Sequence, residues 1–267
     1  MKGESSVEEN ILYSINEQAT KFYQDQLSKL EQAQNYLKQR NINEESIKNF
    51  KIGFSGTEDE LFNYLIQKGY TTEQIESTKL CVKNVDGKYV DKYKNRIIFP
   101  VVNKEDKIVA LGSRAIDDST TPKYINGAET AIYTKSDNLY GINIAKKYCK
   151  DKLILVEGYI DVISLHQRGI KNVVALLGIS ISGEQIQLIK RYTNNVVCVF
   201  NSDNKGNIAR FKVLELLNLF NIKSEAICTA GAKDADEYIN KYGTEEFIKL
   251  ANNAMTPLQF KRSIEKR

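Results

Sequence analysis

Four short apolar runs in the second half of the chain constrain the fold most. They are LILV (153–156), VVAL (173–176), VVCVF (196–200) and EAICTA (225–230). Polar residues do not alternate with apolar ones along these runs, which is typical of strands buried on both faces. Helix-like segments with Gly or Asn near their ends separate the runs. This half is therefore predicted to form a mainly parallel, Rossmann-like sheet sandwiched by helices.

The first half of the chain has a different pattern. Residues 7–50 are predicted to be helical, with an apolar face formed by Ile11, Leu12, Ile15, Ala19, Phe22 and Leu27. Short helices are predicted before Gly69 and after Thr71, because glycine commonly ends a helix and threonine commonly caps one. Residues 81–116 alternate β-branched runs with Asp-Gly and Lys-Glu-Asp turns, as small antiparallel sheets do. The predicted fold class is α/β, with a mixed α+β first half.

Composition argues against several classes of protein. The 267 residues are 42% apolar, which is enough to bury a sizeable core. No apolar run approaches the roughly 20 residues that span a bilayer, and the N-terminus lacks the apolar segment of a signal peptide. A cytoplasmic protein without a membrane partner is therefore expected. Four scattered cysteines without a CxxC pair and a single histidine, His166, argue against structural zinc and against Ser-His-Asp or Cys-His catalysis.

Positive charge is concentrated in the middle of the chain. Residues 83–152 contain 14 Lys or Arg against 9 Asp or Glu, although the whole chain carries a net charge of only +4. Such a local excess indicates an anionic partner, and nucleic acid is one candidate. Lysine-rich solvated surfaces are also common, so charge alone leaves both interpretations open.

The ends of three predicted strands are followed by acids and one amide: Glu157, Asp161, Asn201, Asp203, Asp234 and Asp236. Ligand sites of open parallel sheets lie beyond the carboxyl ends of the strands. Converging oxygen ligands suit a hard cation such as Mg²⁺, and two such ions could activate a hydroxyl and stabilise a leaving pyrophosphate. The alternative is that these residues are helix N-caps, since Asp, Asn and Ser commonly follow strands in that role. Several carboxylates gathered on one edge favour the cation site.

Two groups of motifs resemble a known family. The segments VEGYIDVISLHQRGIKNVVALLG, SDNKG and GAKDADEYINKYG resemble the TOPRIM domain of bacterial DNA primase of the DnaG type. The segments KNRIIFPVVNKEDKIVALGSRAI and TPKYINGAETAIYTKSDNLYGI resemble the basic subdomain that precedes TOPRIM in that family. The resemblance implies three parts: a basic α+β subdomain at 1–150, a TOPRIM metal-binding subdomain at 151–241, and the beginning of a truncated helical subdomain at 242–267.

The resemblance also implies a function. The family makes short RNA primers on single-stranded DNA from ribonucleoside triphosphates, with a two-metal Mg²⁺ or Mn²⁺ site. A replicative helicase is implied as a partner, through a C-terminal domain that this sequence does not contain. Because the family's N-terminal zinc-binding domain is also missing from the sequence, an isolated catalytic core is expected.

Roles for individual residues follow from the same resemblance. Catalytic roles are expected for Glu157, Asp161, Asp203, Asp234 and Asp236. The expected metal ligands are Glu157, Asn201, Asp203, Asp234 and Asp236. Triphosphate or template binding is expected from Arg96, Arg114, Lys123, Tyr124, Asn126 and Lys135. The alternative for each basic residue is a solvent-exposed charge, and Tyr124 could equally belong to a core.

One departure from the family pattern bears directly on catalysis. Asn201 stands where the resemblance implies the first acid of an Asp-x-Asp element. An amide offers a cation one oxygen but no charge, so reduced metal affinity and slow or absent primer synthesis are expected. Ile179 and Lys205 are smaller departures, at positions where the family usually has Thr and Ala.

Two other functions remain open from the sequence. A primase-like module that binds single-stranded DNA or nucleotide without catalysis is favoured by Asn201. Another TOPRIM enzyme, a nuclease or a topoisomerase, is disfavoured by the basic KYIN and YTKS segments.

Overall fold

The computed structural model describes residues 6–117, 119–178 and 180–265, without the side chains of Lys205, Ile264 and Glu265. Two of the departures noted above, Ile179 and the Lys205 side chain, therefore lie outside the described residues. Contacts divide the chain into two compact units, residues 1–135 and 136–267. Within the described residues, no helix combines the length and the apolarity that crossing a membrane requires.

The first unit contains a helical segment and an antiparallel sheet. Its helices are α1 (Val7–Lys29), α2 (Glu31–Gln39), α3 (Glu44–Asn49), α4 (Leu61–Gln67) and α5 (Thr72–Ser77). Its strands are β1 (Gly53–Ser55), β2 (Cys81–Lys83), β3 (Tyr89–Asp91), β4 (Arg96–Val102), β5 (Ile108–Ala115) and β6 (Tyr124–Ile125). The prediction of helices followed by a small antiparallel sheet is confirmed.

Local signals begin and end these helices. Ser6 and Glu9 form a capping box at the start of α1, and Thr71 and Gln74 form another at α5. After α4 the chain turns at Gly69, whose φ of 91° lies in the left-handed region that glycine tolerates. The buried face of α1 has the expected helical spacing; its apolar members are Leu12, Ile15, Ala19, Tyr23 and Leu27.

The sheet of the first unit has the strand order β1-β4-β5-β6, and every neighbouring pair is antiparallel. Strands β2 and β3 form a separate hairpin. Both predicted turns are organised by an asparagine: the Asn84 side chain accepts hydrogen bonds from Asp86 and Lys88, and the Asn103 side chain accepts from Glu105 and Lys107. Consequently β4 and β5 place Arg96 opposite Ala115 and Arg114 opposite Ile97.

The second unit is a parallel sheet with helices. Its strands are β7 (Leu153–Val156), β8 (Val173–Ala175), β9 (Asn195–Val199) and β10 (Lys223–Ala226). Its helices are α6 (Ile142–Ala145), α7 (Tyr159–Gln167), α8 (Gly183–Lys190), α9 (Asn204–Leu219), α10 (Ala235–Asn252) and α11 (Pro257–Glu265). The strand order is β10-β9-β7-β8, and all three pairings are parallel. The predicted parallel sheet is therefore confirmed.

One predicted strand is displaced. The run EAICTA was expected at 225–230, whereas β10 ends at Ala226. Ile227 still donates a hydrogen bond to the Cys198 carbonyl, but the chain then turns, with Ala230 bonding back to Cys228 and Ala232 to Thr229. The backbone groups that would otherwise extend the sheet are hydrogen-bonded within this turn.

The last two helices pack within the second unit. Phe260 of α11 is fully buried in the same apolar core as Leu155 and Cys198. Helix α10 runs through residue 241, with a break at Gly243 where φ is 84°. Contacts divide the chain between residues 135 and 136. The expected division into parts at 1–150, 151–241 and 242–267 remains a prediction.

Candidate active site

The carboxyl ends of β7, β9 and β10 form one edge of the parallel sheet, as the sequence predicts. We call the five carboxylates that follow these strands the acidic edge: Glu157, Asp161, Asp203, Asp234 and Asp236. Glu157 follows β7 directly, Asp203 lies in the β9–α9 loop, and Asp234 precedes α10.

Glu157 is held by a neighbouring loop. Its Oε1 accepts a hydrogen bond of 3.1 Å from the backbone N–H of Asn201. Partial burial raises the pKa of the Glu157 carboxyl, the Asn201 N–H opposes this shift, and the charges of Asp203 and Asp234 add to it. These influences show that the three carboxylates share one electrostatic environment.

Asp203 and Asp234 are both helix N-caps. Oδ1 of Asp203 accepts from the Gly206 N–H at 2.7 Å, and Oδ1 of Asp234 accepts from the Glu237 N–H at 2.9 Å. The second oxygen of each accepts no hydrogen bond from the described residues. Each side chain is therefore oriented by its helix through one oxygen and keeps the other for a cation or for water.

Asp161 and Asp236 are more deeply buried and connect two helices. Asp161 accepts from the Gly158 N–H at 3.0 Å through Oδ2 and from the Asp236 N–H at 2.9 Å through Oδ1. Oδ1 of Asp236 accepts from the hydroxyl of Ser164 and from the Asn240 amide. Burial raises the pKa of Asp161 well above its usual range, and the charge of Asp234 adds to this shift. These contacts join α7 to α10. The expected catalytic role of both residues, and the expected role of Asp236 as a metal ligand, remain predictions.

The donor set fits a divalent cation with few protein ligands. Within the described residues, no three acidic, cysteine or histidine side chains are close enough to form a ready-made metal site. Mg²⁺ does not require such a cage, because it keeps several waters and is bound through one or two carboxylates plus substrate phosphates. Glu157, Asp203 and Asp234 would supply these carboxylates.

Asn201 contributes through its backbone. Its N–H binds Glu157, and its carbonyl accepts from the Arg210 guanidinium at 3.0 Å. The Asn201 side-chain amide makes no hydrogen bond with the described residues. The expected role of the neutral Asn201 side chain as a metal ligand therefore remains a prediction.

The β9–α9 loop leaves no room for a side chain at Gly206, which lies in the first turn of α9. A Cβ there would lie 2.2 Å from the Asn201 carbonyl oxygen. The same loop is tied to the loop before α10, since the Ser202 N–H donates to the Lys233 carbonyl at 2.8 Å and the Ser202 hydroxyl donates to the Ala232 carbonyl at 3.0 Å. Asn201, Asp203 and Asp234 are thus carried on one connected backbone arrangement.

Arg210 lies beneath this arrangement and was missed by sequence reasoning. It belongs to α9, and its side chain is 0% exposed. Its guanidinium donates to the carbonyls of Phe200, Asn201 and Ile227, and lies 4.8 Å from the centre of the Phe260 ring. Burial lowers the pKa of Arg210, and the charge of Glu157 opposes this shift. An arginine among the apolar positions of IARFKVLELL was the available signal.

The predicted template-binding arginines are buried in the first unit. Arg96 on β4 donates to the carbonyls of Pro122 and Lys123 at 2.8 and 3.3 Å. Arg114 on β5 donates to the Tyr124 hydroxyl at 2.6 Å. Both guanidinium groups therefore hold the segment that carries Lys123 and Tyr124.

Four predicted binding residues lie nearer to solvent. Lys123 and Lys135 are exposed, Asn126 is half-buried, and Tyr124 is 38% exposed. Tyr36 was not predicted, although its ring lies 5.8 Å from the Arg114 guanidinium and 5.6 Å from that of Arg40. It lines a groove of about 490 Å³ with Glu31, Gln32, Asn35, Gln39 and Ile116. Its helical periodicity gave no signal that would separate it from a core tyrosine.

Two family models match separate parts of this chain. Residues 22–146 match the family model for the N-terminal domain of the DNA primase catalytic core, and residues 154–239 match the Toprim-like model. A solved DnaG primase catalytic domain bound to single-stranded DNA superposes with a TM-score of 0.85 at 31% identity, covering 95% of this chain and 84% of that one. The chain belongs to the DnaG primase family.

Other members of the DnaG primase family are similarly related. The E. coli primase catalytic core has a TM-score of 0.84 at 32% identity, over 94% of this chain and 83% of that one. The DNA primase of Clostridium acetobutylicum is 36% identical over 252 residues, which is 94% of this chain and 42% of the relative. That of Haemophilus influenzae is 36% identical over 256 residues, or 93% and 43%. The chain thus spans less than half the length of these two relatives.

Proposed function

We propose that this chain joins ribonucleoside triphosphates into short RNA primers on a single-stranded DNA template, using Mg²⁺ or Mn²⁺. The observation that supports this most is the oriented set of Glu157, Asp203 and Asp234. Each of the three carboxylates has one oxygen fixed by a backbone N–H at 2.7–3.1 Å, while the other makes no hydrogen bond with the described residues.

Divalent cations at such a site would activate the attacking hydroxyl and stabilise the leaving pyrophosphate. The residues of the chain position the acidic side chains. Glu157 accepts the Asn201 N–H, and Asp161 and Asp236 join α7 to α10 behind the acids. In reactions of this type, positioning and electrostatic stabilisation provide most of the catalysis.

Template binding is assigned to the basic surface of the first unit, formed by Lys123, Tyr124, Asn126 and Lys135. The solved relative that carries single-stranded DNA supports this assignment by similarity. Lysine offers phosphates a mobile charge, and a partly exposed tyrosine offers a base a stacking surface. Arg96 and Arg114 act from below, as buried supports for this surface.

A second function, a module that binds single-stranded DNA or nucleotide without catalysis, is favoured by Asn201 and by the fixed cation of Arg210. Both reduce the negative charge available to a divalent ion at the acidic edge. The other TOPRIM chemistries are not supported by the similarity to primase cores over both units. A replicative helicase as partner remains a prediction.

The deciding experiment is incorporation of labelled ribonucleotides on a single-stranded template, with Mg²⁺ or Mn²⁺. We expect Mn²⁺-dependent products from the natural sequence and none from Glu157→Gln. Asp59→Asn is a matched acid control, because Asp59 belongs to the first unit and forms an ion pair with Lys94 there. Salt-sensitive DNA binding without any product would support the binding module, and cleavage of the template would contradict both.

A further inference from the structure

The edge of the parallel sheet opposite to the acids carries the opposite charge. We call it the amino edge; it consists of the segments that precede or begin the four parallel strands, with the end of α8. Its cations are Lys147, Lys150, Lys152, Lys171, Lys190, Arg191 and Lys223, and its acids are Asp151 and Glu225. None of these residues enters the function proposed above.

We propose that the amino edge is a second binding surface for the phosphate backbone of a single-stranded nucleic acid. The surface is continuous, because side chains and backbone link each strand start to the next. The Asn172 amide donates to the Lys152 carbonyl at 2.7 Å, and the Asn195 amide donates to the Asp151 carbonyl at 2.9 Å. The Lys223 N–H donates to the Asn194 carbonyl at 2.8 Å.

These links place the cations in one row. Neighbouring strands lie about 4.8 Å apart, so the row from β8 through β7 and β9 to β10 is about 14 Å long. A row of this length covers several phosphates of an extended strand. It lies at the other end of strands of three to five residues, about 10–16 Å from the acidic edge. One nucleotide cannot occupy both edges.

Helix dipoles account for only part of this charge. Cations at helix C-termini are stabilising, which explains Lys190 and Arg191 at the end of α8 and Lys147 after α6. The Lys152 amine also donates to a carbonyl in the last turn of a helix, that of Ala251 in α10, and Lys223 forms an ion pair with Glu225. Lys150 and Lys171 precede strands, which have only small net dipoles. Lys150, Lys171 and Arg191 make no ion pair with the described residues, and like charges on one surface repel one another unless an anion lies among them.

An exposed aromatic side chain favours nucleic acid over a simple anion. Tyr148 is 52% exposed, and the Lys171 amine lies 5.5 Å from the centre of its ring. Surfaces that bind single strands without sequence preference combine a basic track with aromatic rings on which bases stack. The exposed amides of Asn194 and Asn195 add neutral donors beside the track.

The test measures binding of a fluorescent oligothymidylate of about twenty nucleotides as a function of salt. The variant is Lys150→Gln, Lys171→Gln and Arg191→Gln together, since each is exposed and makes no ion pair with the described residues. If all three contact phosphates, the slope of log K against log salt decreases by about 2, and affinity in 0.1 M salt falls at least about tenfold.

The matched control is Lys29→Gln, Lys94→Gln and Lys104→Gln, which removes three lysines that form exposed ion pairs elsewhere. It should leave the salt slope within about 0.5 of the natural protein. A second readout is ultraviolet cross-linking with an oligonucleotide that carries 5-iodouracil. The adduct is expected on the peptide that contains Tyr148, and it should be lost in Tyr148→Leu.

An unchanged salt slope in the triple variant overturns the proposal. The proposal is also overturned if the triple variant binds polyglutamate more weakly than the natural protein but binds oligothymidylate equally well. The proposed function fails separately. If the natural protein binds no oligothymidylate, both ideas fail; if it binds normally and makes primers while the triple variant behaves identically, only the amino edge is wrong.

Discussion

The backbone N–H of Asn201 donates a hydrogen bond of 3.1 Å to Oε1 of Glu157. The bond joins the loop after β9 to the loop after β7 without using the Asn201 side chain. Because the bond comes from the backbone, it is independent of which residue occupies position 201. The side chain at that position can therefore change the charge of the acidic edge while the geometry is preserved.

Asn201→Asp should strengthen divalent-cation binding. A carboxylate adds a full negative charge beside Glu157 and Asp203, so we expect about tenfold tighter Mn²⁺ binding by titration calorimetry. Ribonucleotide incorporation should rise in parallel. Asn207→Asp adds the same charge further along α9 and should give a smaller gain. Equal gains from the two variants would show that general charge, and not a ligand at 201, is responsible.

Glu157→Gln should change the pH dependence of stability in the absence of metal. Burial and neighbouring carboxylates raise the pKa of Glu157 above its ordinary value of 4.5. A raised carboxyl pKa means that the folded state binds the proton more tightly than the unfolded chain, so stability decreases as pH rises from 4.5 through the folded pKa. Glu157→Gln has no carboxyl at this position, so its stability should not show this decrease.

Urea unfolding in EDTA at several pH values measures the effect. The free energy of unfolding of Glu157→Gln should exceed that of the natural protein at neutral pH, and the difference should shrink as pH falls toward 4.5. A difference that grows on acidification would contradict the raised pKa. Glutamine keeps an oxygen for the Asn201 N–H, so the comparison isolates the charge.

Arg210→Met should destabilise the second unit by about 3 kcal/mol. The change leaves the carbonyls of Phe200, Asn201 and Ile227 without their donor in a buried region, and unpaired buried polar groups are costly. Urea unfolding measures the loss. Lys212→Met, on an exposed position of the same helix, should cost less than about 0.5 kcal/mol. Similar losses from both variants would remove the special role of Arg210.

Gly206→Ala, in the first turn of α9, should destabilise the protein by about 2–3 kcal/mol and weaken Mn²⁺ binding. The added Cβ would meet the Asn201 carbonyl oxygen at 2.2 Å, so the backbone of Asn201, whose N–H binds Glu157, or the first turn of α9 has to shift. Gly56→Ala is the matched control, since a Cβ there meets nothing within 4 Å. Thermal unfolding and Mn²⁺ titration of both variants check the prediction, and normal Mn²⁺ binding by Gly206→Ala would contradict it.

Much of the fold could be predicted from local patterns. The runs LILV and VVAL closely match β7 and β8, and Thr71 caps the helix that its position predicts. Such signals act between residues close in the chain, so they can be read without the tertiary structure. The end of β10 could not be predicted, because residues distant in the chain hold the segment that follows it: Arg210 donates to the Ile227 carbonyl and Ser202 donates to the Ala232 carbonyl.

The acidic edge was also predictable, since the carboxyl ends of parallel strands meet at one side of a sheet. The order and spacing of apolar and acidic residues were enough to bring Glu157, Asp203 and Asp234 to that side. The tertiary structure alone decided how each acid is used. It made Asp203 and Asp234 caps with one remaining oxygen, turned Asp161 and Asp236 into supports between α7 and α10, and buried Arg210 beneath Asn201. These roles depend on hydrogen bonds and desolvation among residues far apart in the chain, which one-dimensional spacing does not encode.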